Sequence, residues 1–195
     1  TLRVPAGTYR IDGTIALPQQ RELILDAGAV LLRYNSTLDG AVNSDPIVRF
    51  DSHSAALSGS GSLVSQVASP RGIVNFGPHN LTYRASNIEY NRLSGVLISG
   101  AGCSYDAHGK DTDVSVRGSR GVCFDSGEAL GGGGSCYQNA VRDVTVVDVD
   151  TGVYFGQEAN ANSASGVMFY RIGQYSYLFN HNSENTIQGG TCSAS

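Results

Sequence analysis

The sequence predicts an all-β protein, a right-handed single-stranded parallel β-helix, on three observations. First, a strand–turn–strand pattern, Asp143-Val-Thr-Val-Val-Asp-Val-Asp-Thr-Gly-Val-Tyr-Phe155, recurs along the chain. Self-similarity at a period of about 20–50 residues marks a solenoid or an array. Second, the chain of 195 residues holds 25 glycines and no Trp, with charged residues at 15%. Such a composition suits short strands joined by many tight turns. Third, Pro, Gly and Asp-Gly punctuation interrupts the apolar runs every few residues, leaving no room for a helix of ten or more.

In chain order, Leu2–Ile11 reads as a strand broken at Pro5-Ala-Gly7, and Thr14–Leu17 as a second strand before a turn at Pro18–Glu22. Leu23–Arg33 is a third, turning at Asp26-Ala-Gly28. Residues 34–55 are polar and turn-rich around one strand, Pro46–Phe50. Ala56–Val64 follows, and its paired Gly59 and Gly61 suit a corner where a Cβ would collide with the neighbouring coil. Gly72–Phe76 and Leu81–Tyr83 lead into the clear repeats. The whole chain is expected to form one domain: opening coils over 1–33, middle coils over 34–86, and repeats over 87–190 with inserts at 100–112 and 125–139.

Asn87–Ile98 sets over Asp113–Phe124 without a gap, an offset of 113 − 87 = 26 residues. Asp143–Phe155 is the third copy and Gly166–Phe179 a degenerate fourth. Because side chains alternate across a strand, this register stacks Ile88, Val114, Val144 and Val167 inside, then Tyr90, Val116, Val146 and Phe169. On the second strand it stacks Val96, Val122, Val153 and Tyr177, then Ile98, Phe124, Phe155 and Phe179. The outward column of that strand is Leu97, Cys123, Tyr154 and Leu178. An apolar outer column marks a surface covered either by another chain or by a long loop.

Thirteen basic against 17 acidic residues give a net charge of −4, without the basic surplus of a nucleic-acid binder. No apolar run approaches the ~20 residues that span a bilayer, so no membrane partner is expected. Cys103, Cys123, Cys136 and Cys192 contain no C-x-x-C pair, which argues against a metal site, and no cofactor is expected. A Cys103–Cys136 bridge and free, partly buried thiols both remain open. The chain opens at Thr1 and stops at Ser195 without the polar capping units a solenoid needs, so a fragment of a longer protein is expected.

Val4-Pro-Ala-Gly-Thr-Tyr-Arg-Ile11, then Ile15-Ala-Leu17 and Leu23-Ile-Leu-Asp-Ala-Gly-Ala29, resembles the opening coils of the pectate-lyase-like superfamily. Bacteriophage tailspikes and tail fibres carry a similar opening. The resemblance is tight over residues 1–33 and rests on the repeat pattern further on. It implies a homotrimer, a bacterial surface polysaccharide as partner beside other virion tail proteins, and a place on the virion tail or otherwise outside the cell. It also implies, in many relatives, depolymerisation by hydrolysis or β-elimination. The paired Asp-Asp and Gly-His-Gly motifs of polygalacturonases and the Trp-containing motif of pectate lyases are absent.

Chemistry is expected just past the second strand of each repeat. There the register places Asp125, then Gln157 and Glu158, then His181 along one edge. Strands about 4.8 Å apart would separate Asp125 and Glu158 by roughly 5–10 Å, within the range two carboxylates need to act as acid and base on a glycosidic bond. Glu128 and Asp106, in the inserts, are further acids, and turn acids that merely accept backbone N–H bonds are the bland alternative. Arg92, Arg117 and Arg171 fall at the turn after the first strand, a guanidinium row able to grip acidic sugars or simply a solvated surface. Asp148 and Asp150 supply two carboxylates to a turn, few for Ca²⁺. The functions in view are a tailspike-like depolymerase, a non-catalytic receptor-binding or shaft module, and a secreted carbohydrate-active enzyme or adhesin.

Overall fold

The computed structural model describes residues 1–33, 46–66, 72–76, 88–100, 120–124, 136–156, 159–180 and 182–193. Every regular element among them is a strand. The chain passes repeatedly through the same sheets. Its first passage gives β1 (Leu2–Val4), β2 (Gly7–Arg10) and β3 (Ile15–Leu17); its second gives β4 (Glu22–Leu25), β5 (Ala29–Arg33) and β6 (Val48–Phe50). The third adds β7 (Ala56–Gly59), β8 (Ser62–Ser65) and β9 (Val74–Phe76). The fourth comprises β10 (Ile88–Glu89), β11 (Arg92–Ser94), β12 (Leu97–Ser99) and β13 (Arg120–Phe124). Next come β14 (Cys136–Tyr137), β15 (Ala140–Arg142) and the long β16 (Thr145–Phe155). The last are β17 (Ala159–Asn160), β18 (Ser163–Ser165), β19 (Met168–Phe179), β20 (Thr186–Gln188) and β21 (Thr191–Ser193).

All pairings are parallel. One sheet runs β1-β4-β7-β11-β15-β18-β20 and a small one runs β10-β14-β17. The largest, of 11 strands, has two rows: β2-β5-β8-β12 leads into the first half of β16, and β3-β6-β9-β13 into its second half. β19 lies along both halves of β16; the two strands bend at the left-handed Asp148 and Arg171, and the register shifts just after, between Val149 and Thr151. This large sheet is therefore strongly curled.

Apolar residues at matching positions of successive strands build one core. Leu23, Leu57, Leu93, Val141 and Ala164 form one buried line, ended by the exposed Leu2 and Ile187. Phe50, Phe76, Phe124, Phe155 and Phe179 stack with centroids 4.4–4.9 Å apart and planes within 22° of parallel. Strand spacing sets that distance, which falls in the favourable range for offset rings.

Corners are built from left-handed residues and close approaches. Tyr90, Gln138, Ala161 and Glu184 all have φ between 51° and 59°, and each precedes an asparagine. Those asparagines form a ladder: Nδ2 of Asn91 donates to Oδ1 of Asn139 (2.9 Å), that of Asn139 to Asn162 (3.0 Å), and that of Asn162 to Asn185 (3.2 Å). Each Oδ1 also accepts the backbone N–H of the preceding asparagine in the ladder. A fully satisfied buried network of this kind rigidifies a corner. At Gly59, a Cβ would sit on the Leu25 carbonyl, and at Gly61 it would come within 2.6 Å of Leu25 Cβ, as the expected collision with the neighbouring passage requires.

The strand assignments over 1–33 hold. The repeat register holds in part. Val122, Val153 and Tyr177 stand in line, as do Phe124, Phe155 and Phe179, and Val146 faces Phe169. Ile98, however, faces Val146 rather than Phe124, and Ile88 faces Cys136 rather than Val144. Ile88–Ile98 and Arg120–Phe124 thus belong to one passage and not to successive ones. The two rows of the large sheet carry the same apolar alternation, so a gapless alignment cannot tell a step along a passage from a step between passages. Cys136–Tyr137, expected within the second insert, is instead a strand of the small sheet. Val114, Val116 and Leu81–Tyr83 lie outside the described residues.

Candidate functional site

Asp106, Arg117, Asp125, Glu128, Gln157, Glu158 and His181 all lie outside the described residues. Their neighbours define the edge they were assigned to. Phe124, Phe155 and Phe179 end the second row in register. The chain continues in register just past them, with Gly156 N–H donating to Phe124 O (2.7 Å) and Asn180 N–H to Phe155 O (2.8 Å). Asn182 Nδ2 also donates to Phe155 O at 2.7 Å.

Beside this edge, the outer face of the second row carries a line of Arg49, Asn75, Cys123, Tyr154 and Leu178. Alternation puts these residues outward because Val48, Val74, Val122 and Val153 face the core. The Arg120 guanidinium lies over the Tyr154 ring, 3.8 Å from its centroid, and Asn180 Nδ2 donates to the Tyr154 hydroxyl at 3.0 Å. Arg49 grips Asp51 through both carboxylate oxygens, with Nη2–Oδ2 at 2.7 Å. Asn75 is fully buried, and neither atom of its amide has a hydrogen-bond partner among the described residues. An orphaned amide is costly, and a native structure rarely keeps one without a reason.

Of the two covers expected for the apolar column, another chain or a long loop of the same chain, the structure shows the second for Cys123 and Tyr154. Cys123 is 0% and Tyr154 5% exposed within the single chain, so their cover is intrachain. Leu97 does not join them; it stands in the first row beside Thr145. The arginine row is also divided: Arg92 is an exposed residue of β11 beside Ala56 and Ala140, whereas Arg171 sits at the bend of β19. Arg171 donates from Nε and Nη2 to the two carboxylate oxygens of Asp148, at 2.6 and 2.7 Å. Those hydrogen bonds hold the Asp148 carboxyl below the usual carboxylate range. Asp148 is thereby engaged by a guanidinium. Among the described residues no group of three or more His, Cys, Asp or Glu converges on a point that could hold a metal ion.

Cys123 and Cys136 are buried cysteines and Cys192 an exposed one, while Cys103 lies outside the described residues. Burial pushes the Tyr177 phenol above its ordinary range, and its hydroxyl has no hydrogen-bond partner among the described residues.

Sequence reasoning did not single out Arg49, Asn75, Arg120 or the asparagine ladder. The ladder left a signal, since Asn139, Asn162 and Asn185 recur every 23 residues, each two residues before an inward apolar position. Asn75 left none, because one polar residue between apolar ones is what any half-solvated strand shows.

No protein-family model matches the sequence, and a search of curated proteins gives no relative. Among solved structures, the chain is similar to a candidate glycosyl hydrolase from Parabacteroides merdae, at 12% identity and a TM-score of 0.64. The likeness covers 97% of this chain and 82% of that one. At this identity it establishes a shared architecture: an all-β fold of parallel sheets.

Proposed function

We propose that the chain is a right-handed parallel β-helix that binds a bacterial surface polysaccharide and cleaves it, in the manner of a tailspike outside the cell. The observation that carries the reading is the likeness in fold, along nearly the whole chain, to a protein described as a candidate glycosyl hydrolase. Long parallel lines of side chains on a sheet face, one strand step apart, suit an extended polymer with a regular repeat. In this reading Asp125 and Glu158 are the acid and base, with Glu128 in reserve, and Gln157, His181, Arg92, Arg117 and Arg171 contact sugar. Digestion of purified capsular and O-antigen polysaccharides by Asp125→Asn and Glu158→Gln tests the assignment. Loss of turnover is expected, and undiminished cleavage by both variants removes it.

A trimer belongs to the same reading through the tailspike resemblance, and sedimentation of the isolated chain tests it, a clean monomer being the contrary result. The second reading, a non-catalytic binding or shaft module, is favoured by the absence of polygalacturonase and pectate-lyase motifs. Binding without turnover by the wild-type chain would select it.

A further inference from the structure

We propose that Tyr170 and Tyr175, with the Arg171–Asp148 pair between them, form a saccharide-binding ridge on the outer surface of β19. The inference rests on the polysaccharide reading above and deepens it by naming a contact site. Tyr170 alternates outward from the buried Phe169 and stands beside Val147; Tyr175 stands beside Thr151 across the bend. They are 39% and 41% exposed. Arg171 and Asp148 occupy the bend itself, both with left-handed backbone (φ 50° and 57°), so the fork between them is held by main chain as well as by its two hydrogen bonds.

An exposed ion pair of this kind contributes little to folding stability. What it does provide is a guanidinium and a carboxylate in fixed orientation. The guanidinium has five N–H groups, two of them turned to Asp148, so others can donate outward. A pyranose ring is amphiphilic in the matching way, with a C–H face for an aromatic ring and hydroxyls for charged donors and acceptors. Five residue steps separate the tyrosines, at most roughly 16 Å of extended strand, which a short oligosaccharide spans.

A second copy of the chain fits the ridge less well. A stable protein interface covers about 800 Å² per partner. Met168, Tyr170 and Tyr175, each about 40% exposed, offer roughly 200–300 Å² of mainly apolar side chain. That area suits a few sugar rings.

The test is titration of the chain with a panel of purified capsular and O-antigen polysaccharides and their oligosaccharide digests. Tyrosine fluorescence is followed, since no Trp is present to obscure it. For a ligand that wild type binds, Tyr170→Ala/Tyr175→Ala should weaken binding about tenfold or more, with an unchanged melting curve. Tyr170→Phe/Tyr175→Phe should retain the affinity. Wild-type affinity in the double alanine variant overturns the ridge and leaves the polysaccharide reading standing. Loss of self-association in that variant, without loss of sugar binding, assigns the surface to a second copy and equally overturns it. If wild type binds nothing in the panel, the polysaccharide reading itself fails and the ridge with it.

Discussion

Asn139→Ala should be among the most damaging conservative truncations in the chain, and the structure supplies its size. The Asn139 side chain is 1% exposed and accepts from Asn91 N–H (3.0 Å) and Asn91 Nδ2 (2.9 Å). It donates to Ile88 O (2.9 Å) and Asn162 Oδ1 (3.0 Å). With the weak Cys136 Sγ acceptor (3.2 Å) it has five partners, and truncation does not orphan them all. Asn91 Nδ2 keeps its bond to Ser52 O (2.7 Å), and Asn162 Oδ1 still accepts Asn139 N–H (3.0 Å). The Asn91 N–H and the Ile88 carbonyl lose their partner in a place water does not reach. At about 1–3 kcal/mol for each buried unsatisfied group, the loss is about 2–6 kcal/mol. For a chain of this size that lowers the melting temperature by about 4–24 °C. Asn185→Ala, at the half-exposed end of the ladder, is the control. Its bonds to Asn162 N–H (2.9 Å) and Ala159 O (2.6 Å) can pass to water, and about 1 kcal/mol is expected. Urea and thermal unfolding followed by far-ultraviolet circular dichroism compares the two. Equal losses, or less than about 1 kcal/mol for Asn139→Ala, would refute the claim that burial makes the ladder costly to break.

The ring stack makes a parallel contrast. Phe124→Ala, fully buried between Phe76 and Phe155, should cost about 3–5 kcal/mol, whereas Phe179→Ala, 48% exposed with one ring neighbour among the described residues, should cost about a third of that by the same unfolding assay. Ala161→Gly should stabilise by about 0.5–1 kcal/mol, because φ is 54° there and a Cβ strains that conformation. Asp148 has a depressed folded pKa, so its contribution is present above the unfolded carboxylate value near 4 and is lost as pH falls through the folded value. The wild-type excess over Asp148→Asn, read from unfolding curves, should therefore vanish in acid. Tyr177 has a raised folded pKa, so stability is full below about pH 10 and falls as pH rises beyond it; Tyr177→Phe should flatten that alkaline loss in a pH series of melting temperatures.

Much of this architecture was legible from residue order. Pro5-Ala-Gly7, Asp26-Ala-Gly28 and the Gly59/Gly61 pair fixed corners because local backbone preference admits few alternatives there. Alternation then assigned Val122, Val153, Phe124 and Phe155 to the interior. Which strand lies beside which was not local information. Ile98 and Phe124 both end apolar strands of similar pattern, and only the path of the intervening chain puts Ile98 against Val146 and Phe124 between Phe76 and Phe155. For the same reason the rings of Phe50 and Phe76 joined a stack that the repeats alone began at Phe124. The carboxylates picked for chemistry, Asp125 and Glu158, were chosen by position past that stack. Arg120 over Tyr154 and the Asn75 amide, unpartnered among the described residues, came from packing. By itself, the sequence determined most of the strands, the inward alternation around Val122, Val153, Phe124 and Phe155, and the corners at Pro5–Gly7, Asp26–Gly28 and Gly59–Gly61, since these follow from period and backbone geometry; Tyr90, expected inside, is instead an exposed left-handed corner residue. Only the tertiary structure decided the neighbours across strands and the burial of the outward column, because those depend on which distant segments the chain's path brings within one strand step.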